Sequence, residues 1–200
     1  YSLKTPQDSI KLYKKWANTY DKDFALSSNY VSPNKICDYF KKYSEDIDTP
    51  ILDVGAGTGL LGELLYKEGI KDIYGIDISS QMLSQAKKKK CYSKLVVADL
   101  TKQLPFKDNY FGAIISAGTF THGHVGPKAI NELLRITKSG GLFVISINSI
   151  FYIKAGFKEK FINIKNKISS PIFKKFKAHG NIKNKAYNQV DIFASIFRKK

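Results

Sequence analysis

Residues 51–59 read Ile-Leu-Asp-Val-Gly-Ala-Gly-Thr-Gly, and no other stretch of the chain says as much about its architecture. The first four residues form a short, mostly apolar run, which is typical of a buried parallel strand. Gly55, Gly57 and Gly59 then alternate with other residues, and leucines at helical spacing follow them. A strand, a glycine turn and a helix in this order present backbone amides and a helix N-terminus to a ligand. Glycine suits such a turn because a side chain would keep the ligand away from the backbone.

Three successive strand-like runs end in an acidic residue, which places three carboxylates at one edge of the expected sheet. Asp53 precedes the glycine turn, and Asp77 and Asp99 end the next two runs. Asp77 lies 22 residues after Gly55, a spacing at which a carboxylate can accept hydrogen bonds from ribose hydroxyls. Three carboxylates are too much negative charge for a pyrophosphate. They suit a ligand that combines a ribose, an adenine and a cationic amino acid part.

Strand and helix patterns alternate along the chain, which predicts an α/β fold with a doubly wound, mostly parallel sheet and helices on both faces. The strands are expected at residues 51–54, 72–77, 94–98, 111–116 and 142–147. The helices are expected at residues 33–43, 58–68 and 127–137, and another follows the cap residue Ser79. Towards the C-terminus, the pattern predicts a helix at residues 150–164 and strands at residues 173–178 and 190–197.

The pattern resembles the class I S-adenosylmethionine (SAM)-dependent methyltransferases. The matching segments cover most of residues 50–148 in the family's order: LDVGAGTG (52–59), YGIDIS (74–79), VVADL (96–100), FGAIISAGTF (111–120) and ELLRITKSGGLFVIS (132–146). The stretches KLYKKWANTYDKDF (11–24) and SAGTFTHGHVGPKAINELLRITKSGG (116–141) are most similar to the Williams–Beuren-region methyltransferase-like subgroup. The resemblance implies a Rossmann-like fold that ends in an antiparallel hairpin, with SAM as cofactor and S-adenosylhomocysteine as product.

No repeat or linker interrupts the chain, so we expect one methyltransferase domain over residues 1–200. Its parts are N-terminal helices over residues 1–45, a SAM-binding core over residues 50–148, and a C-terminal helix and hairpin over residues 149–200. The most apolar stretch is too short to span a bilayer, and no signal-peptide core is evident. Cys37 and Cys91 form neither a disulfide framework nor a zinc spacing, so a cytoplasmic protein is expected.

The formal net charge of +16 is unevenly distributed. The last fifty residues contain 13 lysine or arginine residues and two acidic residues. A basic face can attract RNA or another anionic partner. However, Arg135 and Arg198 are the only arginines, and arginine is the usual residue for bidentate phosphate contacts. A solvated lysine surface is therefore favoured, with an RNA or other anionic partner as the alternative.

The N-terminal segment predicts an amphipathic helix that Asp8 could cap. Apolar residues recur at three- and four-residue steps on one face: Ile10, Tyr13, Trp16, Tyr20 and Phe24. We interpret Tyr13 and Phe24 as packing residues. The family resemblance implies that Trp16 and Tyr20 cover the cofactor as part of a lid, and simple packing is the alternative for these two.

The resemblance assigns the methionine part of SAM to the glycine turn and to the end of the fourth strand. The turn residues that would lie against the cofactor are Gly55, Ala56, Gly57 and Gly59. Asp53 would help hold the ammonium group, through water. Ser116 and Ala117 would offer a carbonyl to the ammonium group and border the methyl group.

The resemblance assigns the adenosine part of SAM to the ends of the second and third strands. Asp77 would bind the ribose hydroxyls, and Ile78 and Met82 would flank the adenine. Asp99 would accept from the adenine amino group, and Leu100 would present a backbone amide. A carboxylate after a strand can also be only a turn cap, and Met82 can belong to the core alone.

Two of the three histidines follow the fourth strand, where the methyl group and its acceptor are expected to meet. Because the intrinsic pKa of histidine lies near working pH, His122 or His124 could act as a general base. An exposed loop histidine without a role is the alternative. A metal site is not expected, because no third ligand lies near the His-x-His pair.

The sequence narrows the range of methyl acceptors. The Asn/Asp-Pro-Pro-aromatic motif, which the resemblance would require for methylating adenine or glutamine amides, does not follow the fourth strand. No cysteine follows that strand, so the cysteine-adduct route to 5-methylcytosine lacks its nucleophile. An oxygen, nitrogen or sulfur nucleophile on a small molecule is favoured, with RNA or protein as alternatives. The rival functions are a nicotinamide oxidoreductase, which the glycine spacing disfavours, and a non-catalytic SAM-binding module.

Overall fold

Seven strands form one sheet in the computed structural model, which describes residues 6–17, 19–46, 48–180 and 190–200. The strands are β1 (Ile51–Val54), β2 (Ile73–Asp77), β3 (Lys94–Val97), β4 (Phe111–Phe120), β5 (Thr137–Asn148), β6 (Ile172–Lys177) and β7 (Asp191–Arg198). They lie in the order β3-β2-β1-β4-β5-β7-β6. The pairs among β1 to β5 are parallel, whereas β7 is antiparallel to both β5 and β6. The predicted doubly wound sheet and its C-terminal antiparallel hairpin are confirmed.

Helices cover both faces of the sheet. They are α1 (Pro6–Trp16), α2 (Ser32–Tyr43), α3 (Leu60–Lys67), α4 (Ser80–Lys88), α5 (Ala129–Ile136), α6 (Ser149–Lys154) and α7 (Phe157–Asn163), with a π-helix at Tyr20–Leu26. The apolar residues of α5 and α7 pack on one face, and those of α2 and α3 pack on the other. Within the described ranges, no helix is long and apolar enough to cross a membrane.

The cap of α4 agrees with the sequence, whereas the N-terminal helix is shorter than predicted. The Ser79 hydroxyl accepts the backbone N–H of Met82, as a helix cap should. The N-terminal helix ends at Trp16, and a separate π-helix follows at Tyr20–Leu26. Asp8 lies in the first turn of α1, not at its cap position. The side chain of Phe24 lies outside the described residues, so its predicted packing role stays a prediction.

Glycines account for two further differences from the predicted elements. Gly118, at φ +87°, lies in a register shift that lets β4 continue to Phe120, four residues beyond the predicted end. Gly156, at φ +83°, divides the predicted C-terminal helix into α6 and α7. A positive φ, which mainly glycine adopts, is not the backbone conformation of a regular strand or helix. The regular hydrogen-bond pattern is therefore interrupted at both positions.

Candidate functional site

A cavity of about 530 Å³ follows the carboxyl edge of the sheet from the end of β3 to the start of β7. Its walls come from α1, the π-helix, the glycine turn and the loops that follow β2, β3 and β4. The volume falls within the range of small-molecule sites, roughly 300 to 1,000 Å³. The carboxyl edge is also where open α/β sheets bind their ligands.

The three glycines of the turn have different surroundings. A Cβ atom on Gly55 would lie 2.0 Å from the Thr119 hydroxyl, so β4 closes on the turn from that side. A Cβ atom on Gly57 would meet nothing nearer than 3.8 Å, and Gly57 and Ala56 line the cavity. Gly57 therefore leaves room for a ligand against the backbone.

Gly59 does not line the cavity, which corrects its predicted place against the cofactor. A Cβ atom there would lie 3.0 Å from the Tyr92 ring and 3.1 Å from Ala86 on α4. With φ +84°, Gly59 begins α3 and lets it pack closely against α4. This glycine is needed for packing, because a side chain there would meet Tyr92 and α4.

Asp77 links β2 to the glycine turn and faces the cavity. Its Oδ2 atom accepts the backbone N–H of Gly57 at 2.9 Å, and its Oδ1 atom accepts that of Ser79 at 2.8 Å. Burial raises the pKa of Asp77, and the backbone N–H groups oppose that rise. Asp77 therefore caps a turn, which is the alternative that the sequence left open. It does so at the edge of the cavity where a ribose is expected.

Asp53 is buried beneath the turn and hydrogen-bonded to a residue that the sequence did not single out. Its Oδ2 atom accepts the Tyr92 hydroxyl at 2.7 Å. Only 1% of Asp53 is exposed, and burial raises its pKa to about 7, although the Tyr92 hydrogen bond lowers it. Burial also raises the pKa of Tyr92 well above its usual value, so the phenol stays protonated and donates.

Glycines elsewhere make room for the Tyr92 ring. A Cβ atom on Gly62 of α3 would lie 2.2 Å from the ring, and one on Gly75 of β2 would lie 3.0 Å from it. Both glycines lie inside regular elements, where glycine is normally unfavourable. They are therefore the one sequence signal that a large side chain is packed against this helix and strand.

The residues predicted to hold the adenosine part meet at the ends of β2 and β3. Ile78, Met82, Asp99 and Leu100 all line the cavity, and Met82 also belongs to the buried core. Asp99 Oδ1 accepts the backbone N–H of Thr101 at 2.9 Å and its hydroxyl at 2.7 Å. Asp99 therefore caps a turn while it faces the cavity.

The end of β4 is tied to the end of β1. The Ser116 and Thr119 hydroxyls both donate to the Val54 carbonyl, at 2.7 Å and 2.9 Å. The Ser116 side chain is buried and lies outside the cavity wall, whereas Ala117 lines the cavity. The sequence did not anticipate Thr119, since its contact depends on how β4 continues after the Gly118 register shift.

The N-terminal elements form part of the cavity wall. Trp16 and Tyr20 line the cavity, with ring centroids 6.3 Å apart, and their role as a lid stays a prediction. Tyr13, predicted only to pack, also lines the cavity. The π-helix is fastened to the glycine turn, because the Thr58 hydroxyl donates to Asp21 Oδ1 at 2.5 Å.

The three histidines have different positions. His122 is exposed and contacts the Phe151 ring, with centroids 5.1 Å apart, and it does not line the cavity. His124 lines the cavity with Nε2 3.4 Å from the Tyr13 hydroxyl, and burial lowers its pKa. His179, which the sequence did not single out, also lines it, with Nδ1 2.9 Å from the Ser28 carbonyl oxygen. Among the described residues, no cluster of three or more side chains could hold a metal ion.

Comparisons with known proteins agree with this geometry. The model of a family described as a methyltransferase domain matches residues 52–145. The chain is 33% identical over 143 residues to methyltransferase-like protein 27 of Homo sapiens, a match that covers 68% of this chain and 56% of that protein. It is 35% identical over 96 residues to demethylmenaquinone methyltransferase of Renibacterium salmoninarum, covering 48% and 40%. It is 33% identical over 105 residues to the 18S rRNA (guanine(1575)-N(7))-methyltransferase of Saccharomyces cerevisiae, covering 47% and 38%.

The chain thus spans about half the length of these curated relatives, or less. A solved structure of a TehB-like SAM-dependent methyltransferase from Corynebacterium glutamicum covers 98% of this chain and 100% of its own, with a TM-score of 0.63 and 20% identity. At that identity the likeness shows the fold alone. The open glycine cradle at Gly57 and the carboxylates Asp77 and Asp99 are donor and acceptor groups that fit an adenosyl amino acid. The chain belongs to the class I SAM-dependent methyltransferases, whose cofactor is S-adenosylmethionine.

Proposed function

We propose that this domain transfers a methyl group from SAM to an oxygen, nitrogen or sulfur nucleophile on a small molecule. The observation that carries the proposal is the extent of the cavity. It continues from Asp77 and Asp99, where adenosine is expected, past Ala117 to His124 and His179. The part beyond Ala117 is space that an adenosyl group at the ends of β2 and β3 would not fill, and it suits an acceptor molecule.

The protein's task in this reaction is to position two molecules and to exclude water. SAM supplies a methyl group on a cationic sulfonium, so the acceptor's lone pair must be held in line with it. Asp77 would hold the ribose, and Gly57 would allow the methionine part to lie against the backbone. The cover formed by Trp16 and Tyr20 would exclude water. Positioning of this kind can account for much of a rate enhancement.

His124 is the better placed of the two predicted histidines to accept a proton from the acceptor. It lines the cavity, and burial lowers its pKa, which favours the uncharged imidazole. A neutral imidazole can act as a general base. His122 is exposed, so the alternative of a loop histidine without a direct role is favoured for it.

The distribution of positive charge supports a small molecule over RNA. Both arginines are held by carboxylates, Arg135 by Glu132 and Arg198 by the buried Asp48. Two lysines on the C-terminal hairpin pair with Asp191. In the part of the chain that the structure describes, no lysine or arginine lines the cavity. The relatives named for a quinone precursor and for 18S rRNA show that this family includes both kinds of acceptor.

Incubation with SAM labelled on its methyl group would test the proposal. The purified chain is mixed with a cell extract separated into small molecules, RNA and protein, and the label in each fraction is counted. After chromatography has removed the unreacted SAM, we expect label in a small molecule other than SAM, and its loss with Asp77→Ala. Label in RNA or protein alone would contradict the small-molecule proposal. SAM binding without label in any fraction would favour the non-catalytic binding module.

A further inference from the structure

A network of charged groups joins the N-terminal cover, by which we mean α1 and the π-helix, to the glycine turn at the expected cofactor end of the cavity. Asp21, on the π-helix, accepts the Thr58 hydroxyl at 2.5 Å through Oδ1, and its Oδ2 atom lies 2.9 Å from the Lys89 ammonium. Lys89 also pairs with Glu63 on α3 at 3.0 Å. The π-helix, the glycine turn, α3 and the end of α4 are therefore held together at one point.

The position of this network connects it to cofactor binding. Thr58 is only 2% exposed and lines the cavity, as does Tyr20, the neighbour of Asp21. The Lys89 side chain is 16% exposed and the Asp21 side chain is 40% exposed, so the pair is partly open to screening by salt. A π-helix is rare and often occurs at a functional site. Here it brings one carboxylate against both the glycine turn and α4.

We propose that Asp21 is a positioning residue that latches the N-terminal cover over the cofactor and so sets the rate of cofactor exchange. The inference rests on the SAM site of the proposed function and adds the residue that controls access to it. Asp21 acts through Thr58 and Lys89 and makes no contact with the reacting atoms.

The latch predicts a particular pattern of rate constants. If the cofactor enters and leaves past the cover, opening the latch is a step common to both directions. A weaker latch raises the population of the open form with and without cofactor, so both rate constants rise by the same factor and Kd stays the same. Loss of a direct contact with the cofactor would instead raise the dissociation rate constant and Kd together.

Stopped-flow fluorescence of Trp16, the single tryptophan of the chain, can measure these rates with S-adenosylhomocysteine as the probe. We expect Asp21→Asn to raise both rate constants about two- to fivefold with Kd within about twofold, as for loss of a partly exposed ion pair. Lys89→Met, which removes the other partner of Asp21 and does not line the cavity, should do the same, and Lys89→Arg, which keeps the charge, should retain the wild-type rates. Asp23→Asn is the matched control, because it makes the same charge change at an exposed position of the π-helix.

The outcomes separate the latch from the function on which it rests. Unchanged rate constants in both Asp21→Asn and Lys89→Met would overturn the latch, even with normal binding. A faster dissociation matched by weaker binding would also overturn it, and would make Asp21 a direct cofactor contact. Failure of the wild-type chain to bind S-adenosylhomocysteine would contradict the proposed function itself. Added salt should speed exchange in the wild type and have a smaller effect in Asp21→Asn.

Discussion

Replacing Tyr92 by phenylalanine should destabilise the protein by an amount that grows with pH. The substitution keeps the ring that packs over Gly62 and removes the hydroxyl that donates to Asp53 at 2.7 Å. A hydrogen bond to a neutral group contributes about 0.5–1.5 kcal/mol, and one to a charged group about 1.5–3 kcal/mol. The pKa of Asp53 is about 7, so the bond changes from the first kind to the second as pH rises through neutrality.

The sign follows from the pKa of Asp53. Its pKa is raised on folding, so its contribution to stability is fully present below its unfolded pKa of 3.8 and is lost as pH rises through about 7. Because the Tyr92 hydroxyl lowers this pKa, phenylalanine would raise it further. Each unit of rise would add about 1.4 kcal/mol to the cost of the substitution at high pH.

Urea unfolding would measure the free energy of unfolding of the wild type and of Tyr92→Phe. The measurements are made at about pH 5.5, 7 and 8.5, values that bracket the Asp53 pKa of about 7. We expect a loss of about 1 kcal/mol at the lowest pH and about 2–3 kcal/mol at the highest. In an Asp53→Asn background, the cost of the substitution should no longer depend on pH. A cost in the wild-type background that is the same at all three pH values would refute the coupling between Tyr92 and Asp53.

Asp77→Ala should weaken SAM binding roughly tenfold to a hundredfold while circular dichroism shows an intact fold, and unchanged affinity would end the ribose assignment. Gly55→Ala should destabilise by about 2–4 kcal/mol in urea unfolding, because the new Cβ would clash with a β4 hydroxyl at a φ of +70°. Gly126→Ala, where a Cβ meets open space, is its control and should change stability by less than about 0.5 kcal/mol. Arg198→Met should cost about 3–5 kcal/mol, because it leaves Asp48, which is 1% exposed, without its bidentate partner. A loss much smaller than that would mean that water reaches Asp48.

The predictable parts of the molecule are those that local sequence patterns specify. β1 begins and ends where the apolar run does, and Ser79 caps α4 as its position after β2 indicates. The glycine turn and the carboxylates Asp53, Asp77 and Asp99 lie at one edge of the sheet, since parallel strands bring their carboxyl ends together. Periodicity and strand order are enough to place these groups.

The residues that sequence analysis missed are brought to the site by contacts between distant parts of the chain. Tyr92 reaches Asp53 across 39 residues, and His179 reaches Ser28 across 151. Neither carries a local motif, so no pattern in the neighbouring sequence could indicate its place. Gly62 and Gly75 were visible but have a meaning only once the ring that they accommodate is known.

Gly59 shows the same limit of sequence analysis, because here a residue with the expected spacing lies in a different place. Its spacing is that of a cofactor-binding glycine, and the structure puts it against α4 and Tyr92. One glycine of such a turn can leave room for a ligand while another lets two helices pack closely. The spacing of the glycines alone does not show which of them has which role. Which glycine faces the ligand depends on where the helix begins, and α3 begins directly after Gly59.

Isothermal titration calorimetry with SAM, S-adenosylhomocysteine and NAD tests the central claim most directly. The glycine turn with Asp77 and Asp99 should bind the first two and not NAD, because the carboxylates that face the cavity repel a pyrophosphate. Binding of SAM and S-adenosylhomocysteine alone would leave the identity of the acceptor as the next question. Binding of NAD, or of none of the three, would contradict the assignment of this cavity to an adenosyl amino acid.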